Sequence, residues 1–192
     1  FFSGYDSDSL ALENITNFVE QFLKFFSNTR NDLFEIRSKS VNISVLKKIK
    51  PQKNFITALS LNPESIVKSF EDKTPSLKKR ILALQTLQEI GWQIGLRFDP
   101  LIFNGNKNDY KFFFEKIFKS LDVPKIHSVT IGSFRMPIKY LKKISKIRPK
   151  DHLIQTANLK RLFDKKERSD ERDFQEFCLN EIAKFIEKKK IF

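Results

Sequence analysis

The residues predict an α/β protein whose parallel strands carry helices on the outside and curl into a barrel. Three observations lead there. Segments of period-two alternation are separated by segments of helical spacing, strand then helix, and crossovers long enough to hold helices join parallel strands. No glycine-rich phosphate loop follows any of these strands, since Gly132-Ser133 stands alone. The strands also carry charge on one face, where an open parallel sheet is apolar on both.

Phe1 and Phe2 open the chain, and residues 3–9 turn small and polar, a strand end running into a loop. Leu12, Ile15, Val19, Phe22, Leu23 and Phe26 recur at helical spacing and predict a helix over 12–26. Residues 33–39 alternate with period two and form a strand. A short helix is expected over 41–49, closed by Pro51, and then a strand over 54–62, ended by Pro63. Thr74 as cap and Pro75 at the first helical position start a helix that runs to about residue 90 and stops at Gly91. Its inward face carries Leu77, Ile81, Leu84, Leu87 and Ile90. A strand over 93–98 stops at Asp99-Pro100; a helix over 109–121 precedes a strand over 126–131. Pro137 starts a helix to about residue 147, and a charged helix over 171–189 ends the chain.

Composition bounds the function. The chain has 192 residues, of which 13% are aromatic, so it can bury one substantial core and does not read as disordered. No apolar run reaches the roughly 18 residues of a membrane helix. The single cysteine, Cys178, excludes an internal disulfide and a cysteine-rich metal site within these residues. No signal peptide opens the chain, so the cytoplasm is the expected compartment. Because the first residue is Phe1 and the only methionine is Met136, the sequence is expected to be a piece of a longer protein.

Lys and Arg number 36 against 23 Asp and Glu, a net charge of +13 that suits polyanionic partners. From Lys139 onward there are 16 basic and 9 acidic residues. Lys142, Lys143, Lys146, Arg148, Lys160 and Arg161 are therefore the expected phosphate contacts. The competing explanation is an AT-rich genome, which enriches Lys, Ile, Asn and Phe together.

Charge on the strands is the most informative feature. Over 33–39 one face carries Phe34, Ile36 and Ser38, the other Glu35, Arg37 and Lys39. Over 93–99 Ile94, Leu96 and Phe98 oppose Gln93, Gly95, Arg97 and Asp99. The apolar sets must face the helices, so the charged sets face the inside, where unpaired charge is costly. An incomplete barrel around a polar ligand accommodates them, with active residues at the carboxyl ends of the strands. The alternative is an internal salt-bridge network, Glu35 with Arg37 and Arg97 with Asp99.

At these strand ends the sequence resembles the spore photoproduct lyases and their radical S-adenosylmethionine relatives. The resemblance rests on residues 34–40 (FEIRSKS), 60–64 (SLNPE), 74–80 (TPSLKKR), 97–102 (RFDPLI) and 128–135 (SVTIGSFR), in that order and spacing. It implies a six-stranded partial (β/α) barrel over residues 1–136, truncated before its first strand, with a basic helical extension over 137–192. In the family a C-x-x-x-C-x-x-C loop after the first strand holds a 4Fe–4S cluster that binds S-adenosylmethionine. Reductive cleavage gives a 5′-deoxyadenosyl radical, which abstracts hydrogen from a thymine dimer in DNA. The resemblance therefore implies DNA as substrate partner, with the cluster loop lying ahead of Phe1 and no metal ligand in this chain.

Carried over residue by residue, Ser7, Lys39 and Ser60 match positions that contact S-adenosylmethionine, and Asn62 lies beside them. Arg37, Arg97, Asp99 and Arg135 are expected to line the cofactor or substrate. Tyr5 stands where the family has the cysteine that returns hydrogen to the product radical, so the radical machinery carries over better than the repair step. The runner-up function is a non-enzymatic basic α/β domain that binds nucleic acid.

Overall fold

The computed structural model describes residues 1–4, 7–29, 31–102, 106–134, 136–149 and 165–192, the stretch 165–170 by its backbone alone. Among these residues five parallel strands lie in sequence order: β1 (Phe2–Ser3), β2 (Phe34–Ser38), β3 (Phe55–Ser60), β4 (Gln93–Leu101) and β5 (Ile126–Ser133). Between and after them run α1 (Glu13–Thr16), α2 (Phe18–Phe26), α3 (Glu64–Phe70), α4 (Leu77–Ile90), α5 (Lys107–Ser120), α6 (Ile138–Ile147) and α7 (Lys165–Ile182). Sequential parallel order with outer helices is the partial barrel the alternation predicts.

Register sorts the strand faces as expected. Phe34 pairs with Phe55, Ile36 with Thr57, Thr57 with Ile94 and Leu96 with Val129, so these residues share the helix-covered face. There Phe34 stacks 4.6 Å from Phe26 of α2, and Phe98 meets Phe114 of α5 at 5.0 Å. Each buried ring of this kind contributes about 1.5–3 kcal/mol. The opposite face carries Glu35, Arg37, Ala58, Ser60, Gly95, Arg97, Ser128 and Thr130.

Several elements depart from the sequence reading. The expected helix over 12–26 breaks at Asn17, which adopts φ 49°. Glu13 causes the break: its buried carboxylate accepts from the N–H of Val19 at 2.7 Å and of Glu20 at 3.1 Å, capping α2. The stretch 41–49 forms turns rather than a helix, because Ser40, Asn42 and Ser44 bond one another and the local backbone. The helix α3 was not expected; with seven residues and only Ile66 and Val67 buried, it is too short to show a period. Ser76, not Thr74, caps α4, since the Thr74 hydroxyl is committed to the Glu71 carbonyl and to Arg80. The strand β4 continues through Asp99 and Pro100 to Leu101, and the last helix begins earlier than expected and ends at Ile182.

Of the expected extension over 137–192, the described residues from 174 onward pack into the barrel's core. Phe174, Cys178, Ile182 and Ile186 join the buried cluster, Tyr110 meeting Phe174 at 5.0 Å. Beyond α7, Ile191 bridges Val129 in parallel, and the Phe192 N–H donates to the Val129 carbonyl at 2.9 Å. The chain end thus covers the outer edge of β5, which would otherwise offer unpaired backbone groups. No helix among the described residues is long and apolar enough to cross a membrane.

Candidate functional site

The carboxyl ends of the strands are brought level by register. Ser38 pairs with Leu59, Ser60 with Arg97, and Phe98 with Ile131. Lys39 is one residue past β2, Ser60 ends β3, Asn62 follows it, and Asp99 lies near the end of β4. Ser7 is exposed in the loop after β1. That loop is tied to the same place by Asp8. Its Oδ1 accepts from the Ser38 hydroxyl at 2.7 Å and the N–H groups of Leu10 and Ala11; its Oδ2 accepts from the Lys39 N–H at 2.7 Å. Burial would raise the Asp8 carboxyl's pKa, but these donors more than offset it and hold the group below the usual carboxylate range. Gly4 makes the approach feasible: at φ 83° a Cβ there would sit 2.2 Å from the Arg37 carbonyl oxygen. Ser7, Lys39, Ser60, Asn62 and Asp99 therefore gather at one end of the barrel. Tyr5 and Arg135 lie outside the described residues, as do Lys160 and Arg161.

Beneath these residues runs an ionic network that the sequence reading missed. Glu71, just after α3, receives Lys39 Nζ at 3.0 Å and Asn62 Nδ2 at 3.0 Å on Oε1. Its Oε2 receives Arg80 Nη2 at 2.5 Å. Arg80 is fully buried and also donates to the carbonyls of Ser60 and Pro75, each at 2.9 Å. Burial acts to raise the Glu71 pKa, yet the charges of Lys39 and Arg80 prevail and keep it low. A signal did exist in the sequence. Arg80 is three residues after Leu77 and four before Leu84, so a cation occupies the apolar face of α4.

A second network fills the inner face. Glu35 is bound bidentately by Arg97 and accepts from Arg37 Nε at 2.6 Å. Arg97 spends its remaining donors on the Leu96 and Ser128 carbonyls and the Ser128 hydroxyl, leaving none for a ligand. Arg97 pairs with Glu35 rather than Asp99, because its side chain lies back across Gly95, where a Cβ would come within 2.7 Å of Nη2. Arg37 also caps the Phe2 ring at 4.8 Å. Burial would raise the Glu35 pKa, but the two guanidinium groups hold it down. Asp99 differs: it makes no hydrogen bond or ion pair among the described residues, and its carboxylate rests 3.2 Å from where Gly132 would carry a Cβ.

The donor set can be tested against S-adenosylmethionine and the cluster. Lys39 supplies a cation whose side chain is 34% exposed, and Asp99 supplies a carboxylate. Among the described residues Asn62 Oδ1 is enclosed without a partner, a cost that a ligand donor would relieve. These groups fit the amino-acid end and hydroxyls of such a cofactor. They do not fit a cluster. Cys178, the one cysteine of the sequence, is buried against α5, where burial pushes its thiol up to about 12. Among the described residues no group of three or more His, Cys, Asp or Glu could hold a metal.

A family model described as spore photoproduct lyase matches residues 1–168. The spore photoproduct lyase of Clostridium acetobutylicum is 22% identical over 197 residues, covering 96% of this chain and 57% of the relative. That of Bacillus subtilis is 26% identical over 127 residues, covering 65% of this chain and 36% of the relative. A solved spore photoproduct lyase mutant with bound AdoMet and dinucleoside spore photoproduct superposes with a TM-score of 0.83 at 15% identity, over 97% of this chain and 58% of that one. Another, complexed with dinucleoside spore photoproduct, gives a TM-score of 0.80 at 16% identity over 97% and 58%. The structural likeness establishes the fold, and the chain spans well under two thirds of the length of these relatives.

Proposed function

The chain belongs to the spore photoproduct lyase family, and on that premise we propose that it forms the cofactor- and substrate-facing part of a radical S-adenosylmethionine enzyme acting on DNA. The observation that carries the proposal is the convergence of Ser7, Lys39, Ser60, Asn62 and Asp99 at the carboxyl end of the sheet. Lys39 would hold the cofactor's carboxylate, and Ser7, Ser60 and Asn62 its polar groups. Asp99, with Arg135 and the Arg37 side of the barrel, would line the remaining space. A 4Fe–4S cluster, when bound, would supply the electron that cleaves the cofactor. Its thiolates must come from outside these residues, because one cysteine cannot supply the three that leave an iron open. This chain alone is accordingly proposed to be inactive, and the cytoplasm is the compartment proposed for the enzyme. The non-enzymatic alternative is not favoured, since it gives the gathered strand-end groups no task.

Tyr5 bears on the repair step. Returning a hydrogen atom to the product radical is easy from a weak S–H bond and harder from a phenol, whose O–H is ordinarily no weaker. The test is anaerobic turnover of a spore-photoproduct dinucleotide by the full-length parent, with Tyr5→Cys alongside. We expect S-adenosylmethionine cleavage by both, and slow repair or by-products from the unmodified protein that improve in Tyr5→Cys. Absence of S-adenosylmethionine cleavage by a cluster-loaded parent would overturn the enzyme assignment. Clean repair unchanged by Tyr5→Cys would overturn only the role of Tyr5.

A further inference from the structure

Glu71 and Arg80 lie behind the proposed cofactor residues and connect them. Glu71 Oε1 is shared between Lys39 Nζ and Asn62 Nδ2, each at 3.0 Å, while Arg80 Nη1 holds the Ser60 carbonyl at 2.9 Å. One buried ion pair therefore fixes two side chains and one backbone group from the ends of β2 and β3. We infer that Glu71 and Arg80 are a positioning pair for S-adenosylmethionine, holding Lys39, Ser60 and Asn62 in their binding arrangement before the cofactor arrives. The inference rests on the proposed function and deepens it.

Three physical points support this role. The Lys39 ammonium has three donors, and Glu71 takes one, so two remain for a ligand carboxylate on a side chain already ordered. Ordering it beforehand removes an entropy cost from binding. The Asn62 amide has one workable orientation, because turning it over would set Oδ1 against the Glu71 carboxylate. Finally, Arg80 keeps the Glu71 carboxylate in place from the far side. Its other donors reach Pro75 and Thr74, so the pair is anchored at the start of α4. A pair serving stability alone would not need to reach three residues of one site.

The test measures S-adenosylmethionine binding by the cluster-loaded full-length protein, with dialysis for affinity and turnover at saturating cofactor. Glu71→Gln keeps the shape of the side chain but removes its charge. It should raise Kd and KM for S-adenosylmethionine roughly 10- to 100-fold, the effect of losing a charged hydrogen bond, with much smaller change in kcat. Because a lone Arg80 cation could unfold that variant, Glu71→Gln/Arg80→Gln is measured beside it, and the same rise is expected. Trp92→Phe, which removes a buried hydrogen bond to the Leu46 carbonyl at the opposite end of the sheet, should leave the affinity of folded molecules unchanged. An unchanged Kd in the double variant would overturn the inference while leaving the proposed function intact. Equal weakening by Trp92→Phe would also overturn it, by reducing the effect to general stability. No binding by the unaltered protein would overturn the proposed function and this inference together.

Discussion

Glu35 accepts charged hydrogen bonds from both Arg97 and Arg37 while its side chain is only 13% exposed. Removing its charge would leave Arg97, 2% exposed, as a buried cation without compensation. Glu35→Gln should therefore cost about 3–5 kcal/mol, read as a lower urea midpoint. The same residue predicts acid behaviour. Asp8, Glu35 and Glu71 all have carboxyl pKa values below those of the unfolded chain. The unfolded state then takes up protons first as pH falls. Their contribution is complete above the ordinary values, 3.8 for Asp and 4.5 for Glu, and is lost as pH drops through the lower folded values. Equilibrium unfolding between about pH 6 and about pH 3 should show this loss, with a shallower slope in Glu35→Gln. The charged face of β2 and β4 was legible in the sequence as alternation. Which charges met was not, because the Glu35–Arg97 contact depends on β3 lying between them with a residue as small as Ala58 on that face.

At the scale of the element, α6 stands out. It carries Lys139, Lys142, Lys143 and Lys146, with Arg148 just beyond, no acidic residue, and only Leu141 buried. None of these cations forms an ion pair among the described residues, whereas Lys119 and Lys184 do. A solvent-facing basic helix beside the carboxyl end of β5 suits a phosphate backbone, each contact releasing condensed counterions. Reversing Lys142, Lys143 and Lys146 to Glu should flatten the salt dependence of DNA affinity by roughly three in log–log slope, at about 0.9 per phosphate. Fluorescence anisotropy across a salt series reads this directly, and the weakening should be the same for unrelated sequences. An unchanged slope would return these lysines to genome composition. Helices were legible where apolar residues recur over several turns, as in α4 and α5. They were misjudged where side-chain bonds compete with the backbone, as at Glu13 and over 40–44.

For the whole molecule, the chain end is a structural part of the sheet. Ile186 is buried, Ile191 pairs with Val129, and the Ile131 N–H donates to the Phe192 carbonyl at 3.2 Å. Deleting residues 187–192 should speed hydrogen exchange at the Ile131 amide and cost about 1–3 kcal/mol, given one bridged strand residue and its bonds. The amides of β3, bonded on both sides, should keep their protection. Equal exchange at Ile131 with and without the tail would show that β5 needs no cover.

The sequence by itself determined the class of fold, the parallel strand order and the charged inner face. Each follows from local period and from the length of the crossovers. It also determined that the thiolates of a cluster cannot come from these residues, which is a matter of counting one cysteine. Tertiary structure alone decided that Arg97 binds Glu35, that Asp8 ties the Ser7 loop to Lys39, and that Glu71 and Arg80 support the strand ends. Those contacts join residues up to 62 positions apart. Their geometry depends on strand register and on which side chain is small enough to be crossed, and no local pattern records either.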